Sequence, residues 1–134
     1  MKELRLDAIP ENLDKVLDFV NAELEFIGCT SKTQNQISIA VEEVFINIAN
    51  YAYNPDIGVA CVCIVISNNE VKLVFEDSGK PYNPLEKADP NINESTEDRP
   101  IGGLGIFMVK KIMDTVSYQY ENGINKLTVT KVIR

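Results

Sequence analysis

From Val59 to Ile66 every residue is apolar, V-A-C-V-C-I-V-I. Successive side chains of a strand point to opposite faces, so a strand built from this run is apolar on both and must be covered on both. Asn68 and Asn69 read as a turn, and beyond them Val71 to Phe75 alternates, with Lys72 and Glu76 outside. Helices can cover one face of such a sheet. The other face then calls for a lid, a partner or a second copy of the chain, and a homodimer is one expectation.

The helices are legible as stripes. Asn12 is a candidate N-cap for a helix that aligns Leu13, Val16, Leu17, Val20, Leu24 and Ile27. Ser31 followed by Gln34 has the form of a capping box, and the helix it opens is expected to run towards Tyr51 and to stop before Asn54 and Pro55. A third helical pattern follows the glycines at 102, 103 and 105. Leu4 and Leu6 suggest a short first strand, while Val116 to Tyr120 and Lys126 to Ile133 suggest a terminal hairpin around Asn122 and Gly123. Two runs of adjacent strands separated by helices favour an α+β two-layer sandwich: a mixed, mainly antiparallel sheet covered by helices on one face. With 134 residues and no internal repeat, a single domain over 1–134 is expected.

Composition removes many functions. Hydrophobic residues make up 45% and charged residues 25%, as in soluble globular proteins, and no apolar run approaches the roughly 20 residues of a membrane-spanning helix. Lys2, Glu3, Arg5 and Asp7 interrupt the N-terminal segment where a secretory leader would be apolar, so a cytoplasmic location is expected. Thirteen basic against twenty acidic residues give a net charge of −7, which repels nucleic acid in the absence of a basic patch. The chain has no histidine. Serine triads, cysteine–histidine pairs, HExxH zinc sites and phosphohistidine relays are therefore excluded. Cys29, Cys61 and Cys63 lack C-x-x-C spacing and are read as buried reduced thiols, a metal site being the alternative.

Three short patterns carry the remaining chemistry. In AVEEVFINIANYAY, Glu43 and Asn47 lie about 40° apart on one helix face, beside the apolar stripe of Ile37, Val41, Val44 and Ile48. Ile39 and Ile46 on the opposite side suggest a helix enclosed on more than one side. The amide can ligate Mg²⁺ while the carboxylate orients a water or accepts a proton; the same spacing also occurs on solvated helix edges. In FEDSGKP, Asp77 directly follows an apolar strand and can accept a hydrogen bond from a ligand amino group, although Asp, Ser, Gly and Pro are also ordinary turn formers. In IGGLGIFMVKKIMD, three of the seven glycines stand at a helix entrance, where unpaired N–H groups and the positive dipole end attract phosphate. Met108 stands where a G-x-G-x-x-G reading needs glycine, and G-x-x-x-x-G-K-[ST] is absent. Neither a Rossmann nor a P-loop site is present.

Taken in order, E-x-x-x-N on a helix, D-x-G-x-P after a strand and G-G-x-G at a later helix, with a polar proline-containing stretch before the last, resemble the N, G1 and G2 boxes of the Bergerat-fold ATPases. Within that superfamily the chain is most similar to the anti-sigma factor serine kinases, almost from end to end. The resemblance implies ATP and Mg²⁺ as cofactors and residues 80–101 as the ATP lid. It makes Glu43 the catalytic base or water-orienting carboxylate, and Asn47 the Mg²⁺ ligand. Asp77 becomes the acceptor for the adenine amino group, Gly79 lets the base approach, and Thr128 supports adenine through its hydroxyl. Gly102, Gly103, Leu104 and Gly105 form the entrance that wraps the phosphates. Family members often carry an arginine just before these glycines. Here Pro100 and Ile101 separate Arg99 from them, and Lys80 and Lys87 are other phosphate partners to consider. The implied partners are a sigma factor, which the protein sequesters, and an antagonist protein, which it phosphorylates on serine. A nucleotide-gated binding module without kinase activity is the second reading, and a scaffold that has lost ATP the third.

Overall fold

The structure is a computed structural model, and it describes residues 1–86 and 103–133. Five strands form one sheet: β1 (Lys2–Asp7), β2 (Val59–Ser67), β3 (Glu70–Asp77), β4 (Thr115–Glu121) and β5 (Ile124–Val132). Their spatial order is β1-β2-β3-β5-β4, and every neighbouring pair is antiparallel. The expected α+β sandwich is present, with an antiparallel rather than a mixed sheet.

Both hairpin turns follow from their sequences. Asn68 and Asn69 have φ of 52° and 62°, and Asn122 and Gly123 have φ of 55° and 80°. Two successive left-handed residues make the type I′ turn, whose twist matches the flanking strands, and asparagine and glycine adopt it at least cost. The chain leaves β3 through the residues that precede α3 (Gly103–Ile112) and returns to pair β5 with β3. That pairing sets two hairpins side by side in one sheet.

Helices α1 (Leu13–Phe26), α2 (Ser31–Tyr51) and α3 lie on one face, with α2 packed against both of the others. Val16, Val20 and Leu24 of α1 are fully buried, whereas Ile27 lies past the helix end and is 39% exposed. Asn12 sits at the N-cap position, yet its side chain donates to the Asp7 carbonyl at the end of β1. The cap of α2 is Thr30, whose hydroxyl accepts from the Thr33 amide, and not Ser31. Gln34 is therefore released from a capping box and donates to Asn21 on α1, as does Ser38. Ile39 is 43% exposed and Ile46 half-buried. The far side of α2 thus meets solvent at Ile39, while α1, α3 and the sheet enclose the helix on its other sides.

The core lies between the helices and the sheet face of Val62, Ile64, Leu73, Phe75, Leu127 and Val129. On the other face Cys61, Cys63 and Val74 form a small buried cluster of their own. Register sets Glu3 opposite Cys63, and both Arg5 and Glu76 opposite Cys61, so long side chains of the neighbouring strands cover the thiols. The chain itself supplies the cover that the run from Val59 to Ile66 demanded.

Candidate functional site

A cavity of about 290 Å³ opens between the C-terminal half of α2 and the end of the sheet where β3 and β5 pair. Its floor follows from strand parity. Val71, Leu73 and Phe75 point into the core, and Asp77, two residues on, points the same way. A carboxylate is thereby carried to a core-facing position where it is only 7% exposed.

Burying that charge requires partners. Asn125 stands directly opposite Asp77 on β5, shares its face and is equally buried. Its amide nitrogen donates to Asp77 Oδ1 at 3.0 Å and to the Lys80 carbonyl at 2.8 Å, while its oxygen accepts from the Tyr82 amide and the Tyr118 hydroxyl. The Gly79 amide also donates to Asp77 Oδ1, at 2.9 Å. Burial raises the Asp77 carboxyl above its ordinary value, and these two hydrogen bonds pull it part of the way back. Among the described residues both bonds to the Asp77 side chain land on Oδ1. Oδ2 carries neither of them, and Asp77 lines the cavity.

Gly79 is required for a reason internal to the chain. A Cβ there would stand 2.2 Å from the Ala52 carbonyl oxygen, which accepts from the Lys80 amide at 2.9 Å. The segment after β3 docks flush against the end of α2, and Lys80, Pro81 and Tyr82 become one wall of the cavity. Tyr53 braces the same corner, its hydroxyl donating to the Val59 carbonyl and accepting from the Ser78 amide.

Asn47, half-buried on α2, lines the cavity from above. Glu43, one turn earlier, does not line it but lies against the first turn of α3. A Cβ on Gly105 would come within 2.4 Å of Glu43 Oε2, so glycine lets α3 close on the carboxylate. Burial first, and then the charge of Glu42, raise the Glu43 carboxyl above its ordinary value. The cavity is thus polar at Asp77 and Asn125, apolar along Phe75, Ile48 and Leu127, and bordered by an amide and a perturbed carboxylate one helical turn apart. Its volume stands near the lower end of small-molecule pockets and suits a planar heterocycle.

Of the residues singled out in the sequence, Asn47, Asp77 and Lys80 line this one cavity, and Glu43 and Gly105 meet beside it. Gly103 and Leu104 form the start of α3. Gly102, Lys87, Arg99 and most of the expected lid fall outside the described residues. Thr128 is a correction. It pairs with Val74, whose side chain belongs to the cluster on the opposite sheet face, so its hydroxyl does not border the cavity with Asp77. The strand does supply a polar residue, three positions earlier, in Asn125. Sequence reading missed it, although Asn125, Leu127 and Val129 share a parity and an amide at the head of an inward apolar series needs a partner.

Comparison with known proteins agrees with this fold. The histidine kinase-like ATPase domain family matches residues 6–131. The serine-protein kinase RsbW of Staphylococcus epidermidis is 27% identical over 138 residues, spanning 98% of this chain and 86% of its own. The RsbW of Staphylococcus aureus strain JH9 is 27% identical over 139 residues, with the same coverage. Among solved structures, the RsbU and RsbW domains of Rv1364c from Mycobacterium tuberculosis superpose with a TM-score of 0.67 at 17% identity, over 99% of this chain and 33% of that longer one. The chain belongs to the histidine kinase-like ATPase domain family and, within it, is similar to the RsbW serine-protein kinases.

Proposed function

We propose that the protein binds Mg²⁺-ATP with the adenine in this cavity and acts as a serine protein kinase that sequesters a sigma factor and phosphorylates its antagonist. The observation that carries the reading is Asp77, a buried carboxylate that is held on one oxygen by Asn125 and Gly79 and lines a cavity of heterocycle size. Oδ2 accepts from the exocyclic amino group of adenine, and Phe75, Ile48 and Leu127 enclose the ring. The adenine support assigned to Thr128 passes to Asn125, which acts by fixing Asp77.

The residues fit a magnesium ion of the kind that keeps several waters. Asn47 offers one amide oxygen at the cavity rim, and phosphate oxygens supply other positions. An ion held there by Asn47 would supply charge neutralisation on the phosphates during transfer. Glu43 accepts the proton of the serine hydroxyl as the new O–P bond forms and the bond to ADP breaks. Its raised carboxyl is a stronger base than an exposed glutamate. Gly105 lets α3 hold that carboxylate beside the helix entrance, where Gly102, Gly103, Leu104 and Gly105 receive the phosphates. Among the described residues no helix is long and apolar enough to cross a membrane, and a kinase acting on sigma-factor regulators works in the cytoplasm.

Calorimetric titration of Mg²⁺-ATP into the protein and into Asp77→Asn tests the binding. We expect micromolar affinity that the substitution removes; equal affinity in both would sink the adenine assignment. The alternative, a nucleotide-gated binding module without transfer, draws support from Glu43 standing outside the cavity lining. Incubation with ATP and antagonist proteins separates the two, since only a kinase leaves phosphoserine.

A further inference from the structure

The face of the sheet away from the helices carries a second cluster that ATP binding does not use. Cys61 and Cys63 point the same way from β2, 3% and 7% exposed, and Glu3 reaches them from the adjacent strand β1. A zinc ion bound at about 2.3 Å by sulfur and about 2.1 Å by oxygen holds two tetrahedral sulfurs about 3.8 Å apart, and a sulfur and an oxygen about 3.6 Å apart. Cys61 Sγ and Cys63 Sγ are 3.9 Å apart, and Cys63 Sγ and Glu3 Oε2 are 3.6 Å apart. All three ligand atoms lie within 4.8 Å of one another. We propose that Cys61, Cys63 and Glu3 form a zinc site that ties the edge strand β1 to β2.

The surroundings suit the ion. Arg5 Nε holds Glu3 Oε1 at 3.4 Å, which orients the other carboxylate oxygen towards Cys63 in the manner of an outer-shell partner. A cavity of about 320 Å³ lined by Arg5, Cys61 and Glu76 adjoins the Cys61 side of the cluster, from which water can supply the fourth ligand. Zn²⁺ replaces the two thiol protons, which pass to solvent. The two thiolates and the carboxylate then outweigh the ion by one negative charge; Arg5 offsets that charge, and Glu76, opposite Cys61, adds one more. A disulfide is the poorer use of these sulfurs. Residues i and i+2 of a strand have Cα atoms about 6.7 Å apart, at the far limit of disulfide geometry.

The test uses the metal-free, reduced full chain. ZnCl₂ is titrated against a chromophoric chelator, and CdCl₂ is followed by its thiolate charge-transfer absorbance. One ion per chain, a thiolate band that Cys29→Ser retains and Cys61→Ser/Cys63→Ser loses, and a zinc-dependent rise in melting temperature that the wild type and Cys29→Ser show and Cys61→Ser/Cys63→Ser lacks are expected. Glu3→Gln, an exposed change that keeps the fold if the double variant does not, should weaken binding at least about tenfold. A folded, reduced wild type without the band overturns the proposal. So does zinc binding that survives both sets of substitutions, or a Cys61–Cys63 disulfide forming in air with no metal uptake by the reduced chain.

Discussion

At the Asp77 end of the cavity Asp77 and Asn125 stand in register on adjacent strands, each 7% exposed, and their hydrogen bonds reach the backbone of residues 79, 80 and 82. On the α2 side Glu43 and Asn47 stand one turn apart on a single helix, both half-buried, and Glu43 meets its neighbour α3 only because Gly105 has no side chain. The Asp77 end is pre-organised by the sheet. The Glu43 end is assembled by the approach of two helices. On the proposed kinase reading, orientation comes from the fixed end and access from the other.

The comparison breaks most sharply at Glu43. Glu43→Gln should lower the rate of phosphoserine formation by about 10²- to 10⁴-fold, the usual contribution of a general base, with ATP affinity nearly unchanged in calorimetry. If affinity falls as far as rate, the two ends are not separate in function.

Asp77→Asn should have the opposite profile, lowering ATP affinity by about 100-fold, or roughly 2.7 kcal/mol, because it turns an acceptor into a donor facing adenine. It should also raise the melting temperature of the nucleotide-free protein at neutral pH. Burial raises the folded-state carboxyl above its ordinary value of 3.8, so the stability this group contributes is fully present below that pH and is lost as pH rises through the folded-state value. The gain of the variant over wild type should therefore grow from about pH 4 upward, which melting curves across pH would show.

Asn125→Ala sharpens the Asp77 end itself. Stability should fall by about 1–3 kcal/mol as Asp77 and the Lys80 carbonyl lose their donor, and ATP affinity should weaken less than in Asp77→Asn. Denaturant unfolding with and without nucleotide measures both. The smallest effect is expected at Thr128, where Thr128→Val should change stability by less than about 0.5 kcal/mol and leave affinity as it was. A loss of ATP binding there would restore the role that strand parity removes.

Much of the fold was legible because its signals are local. The asparagine turns, the stripe of α1 and the doubly apolar run of β2 each depend on neighbouring residues and were placed within a residue or two. Caps were less secure: Thr30 and Ser31 are chemically equivalent candidates, and only the backbone geometry selects the one whose oxygen faces the Thr33 amide. The three patterns were legible for the same reason, each being a spacing of a few residues.

By itself the sequence determined the α+β class, the two hairpins and the positions of Glu43, Asn47, Asp77 and the glycines, since periodicity and turn chemistry act over a few residues. Tertiary structure alone decided which distant residues meet. Asn125 finds Asp77 across 48 positions because β5 pairs with β3 in that register, and a shift of one residue would have turned Thr128 inward instead. Glu3 reaches Cys63 across 60 positions through the pairing of β1 with β2. Pairing register is set by the packing of the whole sheet against its helices, and no single strand carries that information.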